Sequence, residues 1–167
     1  ALGGFIPLRK VSNEKLKANK DTFISFDDAV EREQSTTMIF VRLLTKLLRD
    51  KSIGERVVPI VPDEARTFGM DALFRQFGIY SSEGQKYEPE DADKVMFYRE
   101  SESGIMLEEG INEAGAFSAW LALATSYSNN QLPLIPFYFF YSMFGFQRIH
   151  DLAWAAGDSR AKGFLLG

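Results

Sequence analysis

Two apolar runs of strand length, set among segments with helical periodicity, constrain the fold of this chain most strongly. Residues Arg56 to Val61 form a β-branched run, and Leu134 to Tyr141 form a second run that is rich in aromatic residues. Apolar residues recur at helical spacing from Met38 to Asp50, behind the capping sequence Ser35-Thr36-Thr37. Alternation of strands with helices predicts an α/β domain built on a mainly parallel sheet.

Weaker patterns predict the remaining elements, which are a short helix from Met70 to Phe77, a small-residue helix from Asn112 to Tyr127, a helix from Gln147 to Ala156 and a strand from Phe164. Val95 to Tyr98 fits a short strand and a helix end equally well. The polar residues 81 to 93 include Gly84 and Pro89 and predict a long surface loop. Loops of this length are often lids or binding loops, and simple disorder is the alternative.

The two ends of the chain predict a domain within a longer polypeptide. Residues 1 to 34 are polar and mixed, without a sustained period, which is typical of an interdomain connector or arm. The α/β domain then covers residues 35 to 167. The chain starts without an initiator Met and stops on the apolar run from Gly163 to Gly167. Because a strand with no element after it lacks partners, we expect the domain to be truncated at its C-terminal end.

Composition excludes several classes of function. The 167 residues are 46% hydrophobic and 25% charged, as in an ordinary globular domain, and no apolar run approaches the roughly 20 residues of a membrane helix. A net charge of −4 with scattered basic residues favours neither nucleic acid nor an anionic membrane as a partner. Having no cysteine and one histidine excludes disulfides, thiolate metal sites and Cys-His catalysis, and it fits a reducing cytoplasm. Without a nucleophile elbow or a Gly-rich phosphate loop, the chain can supply only part of a catalytic site.

Three segments together favour a site for a flat heteroaromatic cofactor. The segment from Glu109 to Ala116 places Glu113 at the start of the small-residue helix, and Phe137 to Arg148 forms a dense aromatic wall. Asp63-Glu64 and Tyr141 to Phe144 follow predicted strands, where ligands bind parallel sheets. Each segment alone has a simpler interpretation. A glutamate in a first helical turn is usually solvated, an aromatic run is usually core, and Asp63-Glu64 could begin a helix.

Long strings within these segments closely resemble the homodimeric bacterial pyruvate dehydrogenase component, which depends on thiamine diphosphate. The resemblance covers Ala1 to Gly167 and is carried by VPDEARTFGMDALFRQFGIYS, EEGINEAGA and FYSMFGFQRIHDLAWAAGDSRAKGFLLG. It implies a three-layer thiamine-diphosphate-binding fold, of which this chain is the incomplete aminopyrimidine-binding domain. Gly157-Asp158-Ser159 departs from the family's Gly-Asp-Gly metal motif. The resemblance therefore implies that the Mg²⁺ ligands, like the family's catalytic histidines, lie outside this chain.

The resemblance also implies roles for individual residues. Glu113 resembles the glutamate that hydrogen-bonds the aminopyrimidine ring, and Ile111 resembles the bulky residue that holds the cofactor bent. Phe144 resembles the aromatic residue that stacks on the ring, with Tyr141 close by. Asp63 and Glu64 resemble acidic residues that line the same pocket. The loop from about Glu83 to Arg99 resembles one that becomes ordered over the active site.

The implied activity is oxidative decarboxylation of pyruvate, with transfer of the acetyl unit to a lipoyl group on the acetyltransferase of the complex. A carboxyl group shielded from water holds its proton more readily and can share it with a ring nitrogen. The implied partners are an identical subunit, the lipoyl-bearing acetyltransferase and pyruvate. Two alternatives stay open: a related thiamine enzyme, transketolase-like or acting on another 2-oxo acid, and a fragment that serves only as an inactive interaction module.

The loop interpretation makes a testable prediction. Residues 83 to 93 should be mobile without cofactor and ordered when the site is filled, because they are polar and have few apolar anchors. Limited proteolysis of the chain should cut this loop first. Resistance equal to that of the helix at 38 to 50 would contradict the lid interpretation.

Overall fold

A parallel sheet enclosed by two layers of helices forms the part of the chain that the computed structural model describes, which is residues 10–27, 32–62, 65–90 and 98–167. The helices are α1 (Asp21–Ile24), α2 (Thr36–Leu48), α3 (Asp71–Phe77), α4 (Glu113–Asn129) and α5 (Ser142–Asp158), with a 3₁₀ turn at Gly54–Arg56. The strands are β1 (Val57–Val61), β2 (Ile79–Tyr80), β3 (Glu100–Ser101), β4 (Leu107–Glu108), β5 (Ile135–Phe139) and β6 (Phe164–Leu166). The predicted three-layer α/β arrangement with a mainly parallel sheet is confirmed.

The main sheet has the strand order β4-β1-β5-β6, and every neighbouring pair is parallel. Its longest pairing joins β1 to β5, from Val57 opposite Ile135 to Ile60 opposite Tyr138. Strands β2 and β3 form a small parallel pair of their own. Because all the main strands run the same way, their carboxyl ends lie at one edge of the sheet.

Alternate side chains of β5 enter different cores. Phe137 and Phe139 pack with α2 and α3, whereas Tyr138 and Phe140 pack with α4 and α5. This alternation follows from the two-residue period of a strand. A continuous aromatic run can therefore serve two helical layers at once, as expected for a strand that is buried on both faces.

Helices α2 and α4 begin and pack as their sequences predict. The Ser35 hydroxyl accepts a hydrogen bond from the Met38 amide at 3.4 Å, and the buried face of α2 consists of Val41, Leu44, Leu47 and Leu48. In α4, the small residues Ala116 and Ala124 are fully buried, which lets the helix lie close to the sheet. Within the described ranges, no helix is both long enough and apolar enough to cross a membrane.

The aromatic run from 137 to 148 was predicted with the wrong boundary. The strand expected to reach Tyr141 ends at Phe139, and the helix expected from Gln147 begins at Ser142. The high β propensity of aromatic residues suggested a longer strand. In the structure, α5 packs so closely against the end of the strand at Gly145 that an added Cβ would lie 3.2 Å from the Phe140 ring. Boundaries of α2 and α4 differ from prediction by two residues or fewer, and Val95 to Phe97 lie outside the described residues.

The described part of the polar loop, residues 81–90, is tied to β3. Glu100 donates its amide to the Gln85 side chain at 3.1 Å and accepts the Tyr87 hydroxyl at 2.7 Å. The bond to the Glu100 carboxylate raises the pKa of Tyr87. Residues 91–93 of the predicted lid lie outside the described residues, and its response to cofactor stays a prediction.

The described part of the predicted connector is anchored at the C-terminal end of α2. Asp50 is buried and accepts the Asn19 amide at 2.7 Å and the Thr22 hydroxyl at 3.0 Å. The amides of Asn19 and Ser52 lower the pKa of Asp50 despite its burial. A carboxylate thus fixes residues 10–27 to the domain, while the division of the chain at residue 34 stays a prediction.

We expect Asp50→Ala to lower the free energy of unfolding by about 2 kcal/mol, because it removes the buried charged acceptor of the Asn19 amide and of the partly buried Thr22 hydroxyl. Since the folded-state pKa lies below 3.8, this stability is present at neutral pH and is lost as the pH falls from 3.8 through that lower value. Urea unfolding at neutral and acidic pH measures the loss of stability and its pH dependence, and proteolysis within residues 10–27 measures the anchoring. Asp27→Ala, at an exposed position, is the control. Equal stability of the two variants would contradict the anchoring role.

Candidate functional site

Two connections at the carboxyl edge of the sheet bring the candidate residues together. One leads from β4 into α4, and the other leads from β5 into α5. Gly110 adopts φ 69° in the first connection, a left-handed conformation that favours glycine, and this lets the chain turn directly into α4. Helices α4 and α5 both begin at this edge and pack against each other.

Glu113 is the first residue of α4 and is almost completely shielded, with 11% of its side chain exposed. The preceding residue, Asn112, caps the helix by accepting the Gly115 amide at 3.0 Å. A carboxylate in the first turn is stabilised by the partial positive charge of the helix N-terminus. The Arg148 guanidinium of α5 donates a hydrogen bond to the Glu113 carboxylate and forms an ion pair with it.

An aromatic platform lies beside this carboxylate. Phe144 is 40% exposed and stacks against Tyr141, with ring centroids 5.2 Å apart. The Arg148 guanidinium lies over the Phe144 ring, 4.9 Å from its centroid. Arg148 therefore links Glu113 to the platform, because it forms an ion pair with Glu113 and a cation–π contact with Phe144.

Tyr141 ties the platform to the loop that follows β1. Its ring lies 5.2 Å from the Phe68 ring, and its hydroxyl shares a hydrogen bond of 2.6 Å with the Thr67 hydroxyl. A cleft of about 330 Å³ opens next to this contact, and its lining includes Ser35, Thr67, Tyr141 and Ser142. The platform and the cleft thus share Tyr141 as a common wall.

The remaining predicted site residues have different outcomes. Ile111 lies in the turn before α4 and is 76% exposed, and its role stays a prediction. Asp63 and Glu64 lie outside the described residues, and their role stays a prediction. His150, the one histidine of the chain, is exposed on α5 beside Asp151. No group of three or more His, Cys, Asp or Glu residues in the described ranges could hold a metal ion.

Two residues of the site were not singled out from the sequence. Arg148 is spaced four residues from Phe144 on one helix, which is the spacing of side chains that meet, and this pattern could have indicated it. Tyr138 is fully buried, and its hydroxyl has no hydrogen-bond partner among the residues that the structure describes. Burial and the nearby charge of Glu113 raise the pKa of Tyr138 to about 12.

Comparison with known proteins adds a family to this geometry. Residues 15–167 match the family model described as pyruvate dehydrogenase E1 component, middle domain. The chain is 61% identical to the pyruvate dehydrogenase E1 component of Pseudomonas aeruginosa, over 100% of this chain and 19% of that protein. It is 58% identical to that of Cupriavidus necator and 56% identical to that of Escherichia coli K12, in each case over 99% of this chain and 19% of the relative.

The matches extend across the elements that build the site, from the segment before α2 to β6. The chain spans about a fifth (19%) of the length of these curated relatives. The predicted resemblance is confirmed at the level of the domain: this chain belongs to the family of pyruvate dehydrogenase E1 component middle domains.

Proposed function

We propose that this domain forms the aminopyrimidine-binding half of a thiamine diphosphate site in a longer pyruvate dehydrogenase E1 component. The proposed activity is oxidative decarboxylation of pyruvate, with acetyl transfer to the lipoyl group of the acetyltransferase of the pyruvate dehydrogenase complex. The observation that carries the proposal is the shielded Glu113 carboxylate beside the exposed face of Phe144, at the carboxyl edge of a parallel sheet. The substrate, pyruvate, is inferred from the names of the relatives.

The residues present fit a flat heteroaromatic ring that carries N–H groups. Phe144 offers a ring face, and Tyr141 supports it from the side by stacking. Glu113 offers a carboxylate at the edge of that platform. Ile111, apolar and exposed one turn away, is suited to hold the rest of the cofactor bent over the site. Asp63 and Glu64 are proposed as further polar residues of the pocket.

When bound, thiamine diphosphate supplies the carbanion chemistry that decarboxylates a 2-oxo acid. The contribution of this chain is to orient the ring and to hold a proton at its edge. Glu113 would hydrogen-bond a ring nitrogen through its carboxylate, from a position that water scarcely reaches. Exclusion of water strengthens such a bond, because the effective dielectric constant is lower than in solution.

A second surface must supply the remaining parts of the site. We propose that Mg²⁺ and the diphosphate are bound by residues outside this chain, and that an identical subunit covers the ring. Exposed apolar side chains in the turn before α4 and in the first two turns of α5 support a covering partner, since exposed apolar surface is typical of an interface. They are Ile111, Met143, Phe144 and Phe146. We place the assembled homodimer in the cytoplasm, where pyruvate is available.

Glu113→Gln in the full-length enzyme should lower the rate of pyruvate decarboxylation by about 10²- to 10⁴-fold, because the ring loses its partner for proton sharing. The neutral amide keeps nearly the same volume, so the domain should still fold. Steady-state decarboxylation with artificial electron acceptor measures the effect.

Glu109→Gln is the matched control, because Glu109 is an exposed glutamate in the same turn. Its activity should equal that of wild type. Activity of Glu113→Gln within about threefold of the control would contradict the proposed role, since acid–base groups contribute far more than this.

The isolated 167-residue chain should bind thiamine diphosphate with no measurable affinity and should not decarboxylate pyruvate. It offers the ring-recognition residues, whereas a bound diphosphate depends on its metal ion as the largest local charge. Isothermal titration with Mg²⁺ present tests this expectation, and the full-length enzyme is the positive control. Micromolar affinity for the isolated chain would show that the diphosphate half is also present.

A further inference from the structure

Arg148 contacts the same two groups that the proposed function assigns to the cofactor ring. Its guanidinium donates to the Glu113 carboxylate and also lies over the Phe144 ring at 4.9 Å. A guanidinium is flat, presents several N–H donors and stacks on aromatic faces. An aminopyrimidine is likewise flat, offers N–H groups at its edge and stacks through its face. The side chain of Arg148 therefore satisfies the recognition pattern of the ring.

We propose that Arg148 is an internal occupant of the ring site, which an incoming heteroaromatic ring must displace from Glu113 and Phe144. This inference rests on the proposed function and deepens it, because it names a residue that sets the affinity of the site. The carboxylate oxygen Oε1 of Glu113 accepts the hydrogen bond from Arg148. The same oxygen becomes available to a ring nitrogen once the guanidinium swings away.

The contacts of Arg148 are weak enough to be exchanged. Its side chain is 53% exposed, so solvent screens the ion pair and reduces its contribution to stability. The cation–π contact with Phe144 is also weak, because Arg148 is exposed. The long side chain can also rehydrate its charge without any movement of α5, because solvent already reaches more than half of it.

Glu113 can release Arg148 without becoming a bare buried charge. The N-terminus of α4 already favours a negative charge at its first residue. The buried Tyr138 hydroxyl, unpartnered within the described residues, lies within the electrostatic influence of the same carboxylate and provides a nearby dipole. Loss of the guanidinium therefore leaves Glu113 in a polar setting that is prepared for a new donor.

The experiment measures the dissociation constant of thiamine diphosphate for the full-length enzyme, at fixed excess Mg²⁺, by quenching of intrinsic fluorescence. Arg148→Met should bind the cofactor about three- to tenfold more tightly than wild type, because displacement of the ion pair and the cation–π contact is no longer required. Arg148→Gln, which is also neutral, should shift the affinity in the same direction. It provides the test if Arg148→Met does not fold. Arg42→Met, at an exposed arginine of α2, is the matched control and should leave the affinity unchanged.

A double-variant comparison separates this inference from the proposed function. In a Glu113→Gln background, the gain from Arg148→Met should be clearly smaller than in wild type, because the ion pair is already absent and only the contact with Phe144 remains to be displaced. Unchanged or weaker binding by both neutral Arg148 variants would overturn the inference, and so would a gain that persists fully in the Glu113→Gln background. Normal decarboxylation by Glu113→Gln alone would instead overturn the proposed function.

Discussion

Parallel pairing of β1 with β5 is the contact on which the candidate site depends. Four residue pairs in register, from Val57–Ile135 to Ile60–Tyr138, hold the centre of the sheet. Because the strands run the same way, the loop after β1 and the start of α5 emerge at one edge. Pairing of β1 with β4 brings the turn before α4 to that edge as well. A carboxylate, an aromatic platform and a hydroxyl-lined cleft meet there without any long excursion of the chain.

The elements that were predictable from the sequence are those with long, consistent patterns. Helix α2 has a capping serine and a regular apolar stripe, and β1 and β5 are apolar runs bounded by turn residues. Strands β2, β3 and β4 have two residues each, which is too short for any period to be recognised. The start of α5 was missed because aromatic residues favour strands locally, whereas packing against the sheet decides the outcome.

The residues of the candidate site that are placed by the order of strands could be predicted from the sequence. Those that are placed by the packing of helices were missed. Glu113 and Tyr141 both come after parallel strands, so their proximity could be inferred from the order of elements alone. The pairing of Glu113 with Arg148 joins positions 35 residues apart and depends on how α4 lies against α5. A sequence pattern does not encode that relation. The buried hydroxyl of Tyr138 was missed for the same reason, since strand alternation gives its face but not its neighbours.

The hydroxyl bridge between Thr67 and Tyr141 has a mechanical consequence. It fastens the described end of the β1 loop to the N-terminus of α5, and the stacked Tyr141 and Phe144 rings continue the connection. We therefore expect a shift of the loop at Thr67 to tilt the aromatic platform. A partner that moves this loop would then also change the orientation of the Phe144 ring. The orientation of the platform depends on both the loop after β1 and the start of α5.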